Sequence, residues 1–333
     1  MVGGENEPQT PPPFVHVIAS NVDGHTPLPQ DGVIRVAFDR FLNPLSVNRQ
    51  GVILVDEFGN VPGTPPIVTY DPVVRVVTLS NPTPGATWLT VGQFYKLQFP
   101  VSPADASFFG LRAIDGATID PSQPQIGFTV APPTGNPPVD PKIDFCADIF
   151  PLFAAKRSTP TALGACAAAG CHGDPSNPVA ATTAEGLLLA TEDGIRQTAL
   201  GVEAHEATTA APSTPLPPEP AFPTGMPIID PGNPGDSYLL YKLLVPDTDG
   251  APSASGSTFP YTACRAITPP FDYGLGASLA PPDEATRLSA HVIGRRMPWG
   301  GTALGLDELE RIRLWIQEGA EVDDCSACPA SAP

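Results

Sequence analysis

Proline is the residue that most limits what this chain can fold into: 45 of its 333 residues are proline, and a further 31 are glycine. Proline fixes φ, lacks an amide donor and disrupts both helix interiors and central strands. At this density it excludes long uninterrupted helices and a regular parallel α/β sheet over most of the length, leaving short strands, turns and loops. The chain is still apolar enough to fold, being 41% hydrophobic with 15 Phe, 6 Tyr and 3 Trp, whereas disordered chains are poor in such residues. Its 333 residues exceed the roughly 100–200 of one domain, so two are expected.

Two Pro-rich stretches mark the divisions. Residues 1–13 contain Gly3, Gly4 and Thr10-Pro11-Pro12-Pro13 and read as a tether; residues 132–143, opening Pro132-Pro133-Thr134-Gly135, read as a linker. Between them, over 14–131, apolar residues alternate in short runs separated by Asn, Asp, Gly and Pro: Phe14 to Ala19, Val33 to Phe38, Val52 to Val55, Val73 to Leu79, Phe94 to Phe99 and Ile126 to Val130. Six or seven such strands fit a two-sheet antiparallel sandwich. The pieces Val36-Ala37-Phe38, Pro44-Leu45, Tyr70-Asp71-Pro72 and Tyr95-Lys96-Leu97 resemble the bacterial Ig-like domains of surface proteins. His16 and His25 stand alone there, which suits structural roles, and the expected role of this half is a spacer or interaction module.

Charge and apolar run length restrict partners. With 35 acidic against 17 basic residues and a formal charge of −18, neither nucleic acid nor an anionic membrane surface is an expected partner. Apolar runs such as Gly186 to Ala190 and Tyr238 to Tyr241 fall far short of the roughly 20 residues that span a bilayer. Met1-Val2-Gly3-Gly4 is no signal peptide. The six cysteines favour an oxidising compartment, so the expectation is a protein exported to the periplasm or cell surface, whose sequence begins after a removed export signal, with the N-terminal stretch as a surface tether.

Residues 144–333 change period. Asp144 is an N-cap ahead of apolar positions over 144–157, with Pro151 interrupting; a short helix begins near Asp236 and carries Tyr238, Leu239, Leu240 and Leu243. Near the end Asp307 and Glu310 form a D-x-x-E capping pattern before Leu309, Ile312 and Ile316, and Gly319 stops the helix. Two Pro-rich inserts, about 206–235 and 246–283, interrupt this mainly helical region.

Cys166-Ala167-Ala168-Ala169-Gly170-Cys171-His172 carries the chemistry. Covalent haem attachment uses two thiols for two vinyl groups and a histidine directly after the second to ligate iron, usually spaced C-x-x-C-H; here the spacer is four residues. A second axial ligand is available in Met297, within Arg295-Arg296-Met297-Pro298-Trp299. Its thioether raises a haem potential, Pro298 stiffens the loop, and Arg295 and Arg296 suit haem propionates. Other readings stay open: a local Cys166–Cys171 disulfide, a zinc site completed by Cys325 and Cys328, or His291 or His205 as the distal ligand.

In the order of these pieces, from Ile149-Phe150 through the C-x4-C-H motif, Pro231 to Leu239, Arg295-Arg296-Met297-Pro298 and Leu309 to Ala320, residues 144–320 resemble the c-type cytochrome domains of exported multidomain proteins of myxobacteria. The resemblance implies thioethers at Cys166 and Cys171, iron ligation by His172 and Met297, and a tie between Cys146 and the C-terminal cysteine pair. The expected protein is therefore an all-β Ig-like sandwich followed by a mainly-α cytochrome c-like domain with long Pro-rich loops. It would hold one haem c, carry single electrons without being an enzyme, and meet a basic or neutral redox partner, since residues 141–333 hold 23 acidic and 11 basic residues. The alternative is a haem-free secreted binding or adhesion protein in which Cys166 and Cys171 form a structural disulfide.

Overall fold

The computed structural model describes residues 13–83, 88–101, 109–123, 125–135, 140–154, 166, 172–173, 186–204, 222, 225–246, 275, 278–292, 297 and 303–325. Within them two four-stranded sheets face each other. The first orders β1 (Val17–Ser20), β3 (Ile34–Phe38), β6 (Val76–Ser80) and β5 (Ile67–Asp71), all antiparallel. The second orders β2 (Leu28–Pro29), β8 (Ile126–Ala131), β7 (Phe94–Gln98) and β4 (Ile53–Asp56), antiparallel except for the short parallel β2–β8 contact.

The two-residue period of a strand explains the pairing of the sheets. Ile34, Val36 and Phe38 of β3 and Val77 and Leu79 of β6 share one buried cluster with Tyr95, Leu97, Phe128 and Val130 of the second sheet. Phe38 meets Phe99 edge-on across the interior at 6.0 Å. The sandwich is thus built from the alternating runs of the sequence, apart from the two-residue β2, which lies in none of them, and with two further differences. The run Val73 to Leu79 is divided, because Asp71 Oδ1 accepts from Val73 N at 2.9 Å and Arg75 takes a left-handed φ of 57°. That makes a hairpin turn, and β6 starts only at Val76. Its partner β5 is a strand the sequence hides between Pro65-Pro66 and Pro72; it lies at the sheet edge, where proline is tolerated.

Positions that alternate away from the interior are also buried. Ala37 and Val76, paired across β3 and β6, join Val73 and Val74 in a second cluster with helical residues Phe145, Ile149, Leu152, Leu240, Ile312 and Trp315. The first cluster in turn takes in Met226, Tyr238, Tyr241 and Leu288 from beyond residue 140. The two halves of the chain therefore share continuous apolar packing.

The helices are short, as the proline content requires. A π-helical turn, Phe145–Ile149, leads into α1 (Phe150–Ala154), with Asp144 accepting from Ala147 N at 2.8 Å as its cap. There follow α2 (Glu192–Thr198), α3 (Tyr238–Leu244), α4 (Pro282–Ser289) and α5 (Leu306–Gln317). The sequence reading omitted α2 and α4. Their signals are present: Thr191 caps α2 ahead of Glu192 and Asp193, and α4 has Pro282, Asp283 and Glu284 in its first turn with Arg287 in its last.

The capping pattern expected at Asp307 and Glu310 is corrected. The helix begins earlier, and Glu308 reaches back to accept from Gly305 N at 2.8 Å. Glu310 is instead buried and accepts from Arg313 Nη2 at 2.8 Å, while Arg313 Nε stands 3.2 Å from Asp71 of β5. At the other end Gly319 has φ of 106°; its N–H donates to Ile316 O at 3.0 Å and that of Ala320 to Trp315 O at 2.8 Å, which satisfies the last carbonyls. Cys146 and Cys325 form a disulfide joining the first helical turn to the segment after α5.

Candidate functional site

The site forms where α2, α3 and the chain segments between them enclose a cavity of about 370 Å³. One wall comes from Leu187 and Leu189, a second from Val202, Ala204 and Ile228, and a third from Leu239 and Leu243 of α3. Cys166, His172 and Met297 line the same space, although 125 positions separate the last two. This volume falls within the range of sites for small organic ligands and cofactors, and the lining is mostly apolar.

Local structure fixes His172. Its backbone N donates to Cys166 O at 3.3 Å, and its own carbonyl accepts from Leu189 N at 2.9 Å. Its ring Nδ1 lies 3.1 Å from Leu187 O. A carbonyl only accepts, so Nδ1 carries the proton and Nε2 is the ring's lone-pair nitrogen, the arrangement that second-sphere carbonyls impose on metal-binding histidines. Both Cys166 and His172 are 7% exposed.

The segment bearing that carbonyl is held in turn by α2. Leu188 N donates to Thr198 Oγ1 at 2.9 Å, and the Thr198 hydroxyl donates to Gly194 O at 2.7 Å. A side chain at Gly194 would place its Cβ 2.8 Å from Leu188 Cβ and 2.9 Å from Leu188 O, so glycine is what permits this close approach. The opposite wall is tied by Ile228 N to Val202 O at 2.7 Å, Ala204 N to Met226 O at 2.9 Å and Leu239 N to Ile228 O at 2.9 Å. Met297 joins α3 directly, its N donating to Lys242 O at 3.4 Å.

Of the residues singled out in the sequence, Cys166, His172 and Met297 meet at this cavity, whereas Cys171, Arg295 and Arg296 lie outside the described residues, as do His205, Cys264 and Cys328. His291 stands elsewhere: it does not line the cavity, burial lowers its pKa, and the charges acting on it are those of Asp115 and Arg40. The sequence reading missed Leu187, whose contribution is a main-chain carbonyl that no side-chain pattern signals. It also missed Lys242, Gln197 and Glu203, polar members of the lining. Lys242 was legible only as the one charge among the apolar residues of α3.

The donor set narrows the chemistry. A thioether is a poor ligand for hard cations, and an imidazole with a thioether around an apolar space suits haem iron. The cavity thus brings together one thiol, one imidazole and one thioether, from Cys166, His172 and Met297.

No protein-family model matches this sequence, and no curated protein matches it. Among solved structures, the crystal structure of the N-terminal part of the bacterial S-layer protein SbsC aligns with a TM-score of 0.24 and 16% identity over 40% of this chain and 26% of that one. Two longer structures of the same S-layer protein align with TM-scores of 0.23 and 15% identity, over 39% of this chain and 15% of each of those. Among the described residues no helix is long and apolar enough to cross a membrane.

Proposed function

We propose that the cavity holds one covalently attached haem c and that the protein is an exported single-electron carrier. The observation that supports this is the meeting of Cys166, His172 and Met297 around one apolar cavity. In this reading Cys166 and Cys171 form the thioethers, His172 and Met297 are the iron ligands, and Arg295 and Arg296 face the propionates. Bound there, haem would supply a one-electron couple between ferric and ferrous iron. His172 holds its proton on Nδ1 toward Leu187 O and so presents Nε2 as donor. Met297 offers a neutral, soft sulfur, which favours the reduced form. Leu187, Leu189, Val202, Ile228, Leu239 and Leu243 exclude water. With His172 and Met297 both holding the iron, no position would remain open for a substrate, which suits a carrier rather than an enzyme.

The acidic surface suits a basic or neutral redox protein as partner. The sandwich, which resembles Ig-like modules, would serve as the interaction module, and its shared core with the helical half would hold the cavity at a set orientation to whatever the sandwich docks on. The test is a reduced-minus-oxidised visible spectrum of the denatured protein after expression in a host that attaches haem covalently. A c-type signal that stays with the polypeptide is expected. No signal from folded, matured protein would overturn the reading and leave a haem-free binding protein.

A further inference from the structure

We propose that the sandwich carries a self-association site, in which the Glu57-Phe58 tip of one copy of this chain docks into the groove beside β5 of a second copy. The connection 57–66 crosses from β4 in one sheet to β5 in the other. Phe58 and Val61 on it, and Ile67 just after it, are 78%, 60% and 46% exposed. Single exposed apolar residues are ordinary on a protein surface, whereas three between positions 58 and 67 form a patch of the kind that marks an interaction site. Phe58 is also held in place. Asp56 Oδ1 accepts from Phe58 N at 2.9 Å and from Asn60 N at 2.8 Å, Asp56 N donates to Asn60 O at 2.9 Å, and Gly59 turns the chain with φ of 88°. An aromatic ring on a fixed turn loses little freedom when a partner buries it.

The groove supplies apolar surface for such a ring. Val47, Pro65, Pro66, Ile67, Val68 and Pro82 line an open space of about 470 Å³, and Arg49 joins them. Phe58 is not part of that lining and stays exposed, so the tip does not fill the groove of its own copy. Charge selects the occupant. Arg49 is exposed at the groove and Glu57 is exposed beside Phe58, and among the described residues neither side chain has a hydrogen-bond or ion-pair partner. A docked tip brings a carboxylate together with its phenyl ring, and the groove meets it with a guanidinium, whose fork matches a carboxylate. Every copy carries both halves of this match. Two chains of formal charge −18 repel at long range, and one ring with one ion pair buries little area. The contact is therefore weak between free copies, and the ion pair sets its register more than its strength.

The experiment follows sedimentation of the full chain from roughly micromolar to roughly millimolar concentration. It compares wild type with Phe58→Ser, Glu57→Arg and Arg49→Glu, each alone, and with an equimolar mixture of the last two. All three side chains are exposed, so each variant should melt like wild type. The weight-average mass of wild type should rise with concentration, and Phe58→Ser should weaken association about tenfold or more. Glu57→Arg sets two guanidinium groups against each other and Arg49→Glu two carboxylates, so each alone should stay monomeric. Mixed, each variant offers the charge that the other lacks, and association should return. Wild-type protein that stays monomeric over the whole range overturns the inference. So does association that Phe58→Ser leaves unchanged, or a mixture that associates no better than its two components. If Phe58→Ser fails to fold, the charge reversals and their mixture carry the same test. Haem content enters none of these readings, so the result stands apart from the cofactor proposal.

Discussion

The imidazole of His16 bridges two carboxylates, with Nδ1 2.9 Å from Asp39 Oδ2 and Nε2 3.2 Å from Asp120 Oδ2. The hydrogen bond to Asp39 does most to raise its pKa above 6.5, and the charges of Asp39 and Asp120 add to it against a smaller effect of burial. A folded-state pKa above the unfolded one means that the stabilisation is complete below about pH 6.5 and is lost as pH rises through the raised value. Wild-type protein should therefore melt higher than His16→Gln at about pH 5.5 and lose most of that advantage by about pH 9; an advantage independent of pH would refute the assignment. The ring is half exposed, so the effect is small. Met297 makes the complementary prediction at the cavity. In Met297→Ala the sulfur-to-iron band of the ferric protein should vanish, the midpoint should fall, and added imidazole should bind the ferric form. If neither spectrum nor potential changes, Met297 is not a ligand.

At the scale of elements, the C-terminal segment joins the helical half together. Arg196 of α2 donates to Val322 O at 2.7 Å and pairs with Asp324 at 2.7 Å, Cys325 N donates to Glu192 Oε1 at 3.1 Å, and Cys325 is bonded to Cys146. The same region buries Trp315 against Phe145 and Phe153, with ring centroids 5.6 Å and 6.3 Å apart. The disulfide closes a loop of 179 residues, and removing such a cross-link typically costs about 2–5 kcal/mol. Cys146→Ser with Cys325→Ser should lose about that much in denaturant unfolding. A change below about 0.5 kcal/mol would mean that the hydrogen bonds of the segment suffice.

These elements also show what the sequence could reveal. Strands with clean alternation, such as β3 and β7, and the apolar stripe and glycine stop of α5 were legible because local pattern and tertiary burial agree. Strand β5 was not, since its flanking prolines read as loop until the edge position explains them. The role of Glu310 was hidden for a different reason: its partner on β5, reached through Arg313, is more than two hundred residues away in the chain. At the cavity His172, Cys166 and Met297 were legible by residue type, whereas a carbonyl such as that of Leu187 belongs to no motif.

Across the whole molecule the decisive feature is the shared core, because it couples elements that the sequence reading assigned to separate domains. Two buried ionic clusters reinforce it. Arg313 of α5 meets Asp71 of β5; Arg40, just after β3, meets Glu284 of α4 at 2.6 Å and also pairs with Asp115. Phe41 N donates to Glu284 Oε1 at 2.7 Å. Both Arg40 and Glu284 are almost fully buried, 4% and 2% exposed. Burial raises the pKa of Glu284, against the hydrogen bond from Phe41 and the charge of Arg40. Removing one partner of such a pair leaves an uncompensated charge and typically costs about 3–5 kcal/mol, whereas replacing the pair by apolar side chains can be nearly neutral. Arg40→Met should therefore destabilise by about that amount, and Arg40→Met with Glu284→Leu should recover only part of it, because Asp115 and Phe41 N then lose their partners. Because the pair spans the sandwich and the helical half, the loss should reach both. Hydrogen exchange followed along a denaturant series should show peptides from β3, β6 and α5 losing protection together in wild type and together, at lower denaturant, in Arg40→Met. Loss of protection in α5 alone, with β3 and β6 unchanged, would mean that the halves unfold separately and that the shared core adds contact without cooperativity.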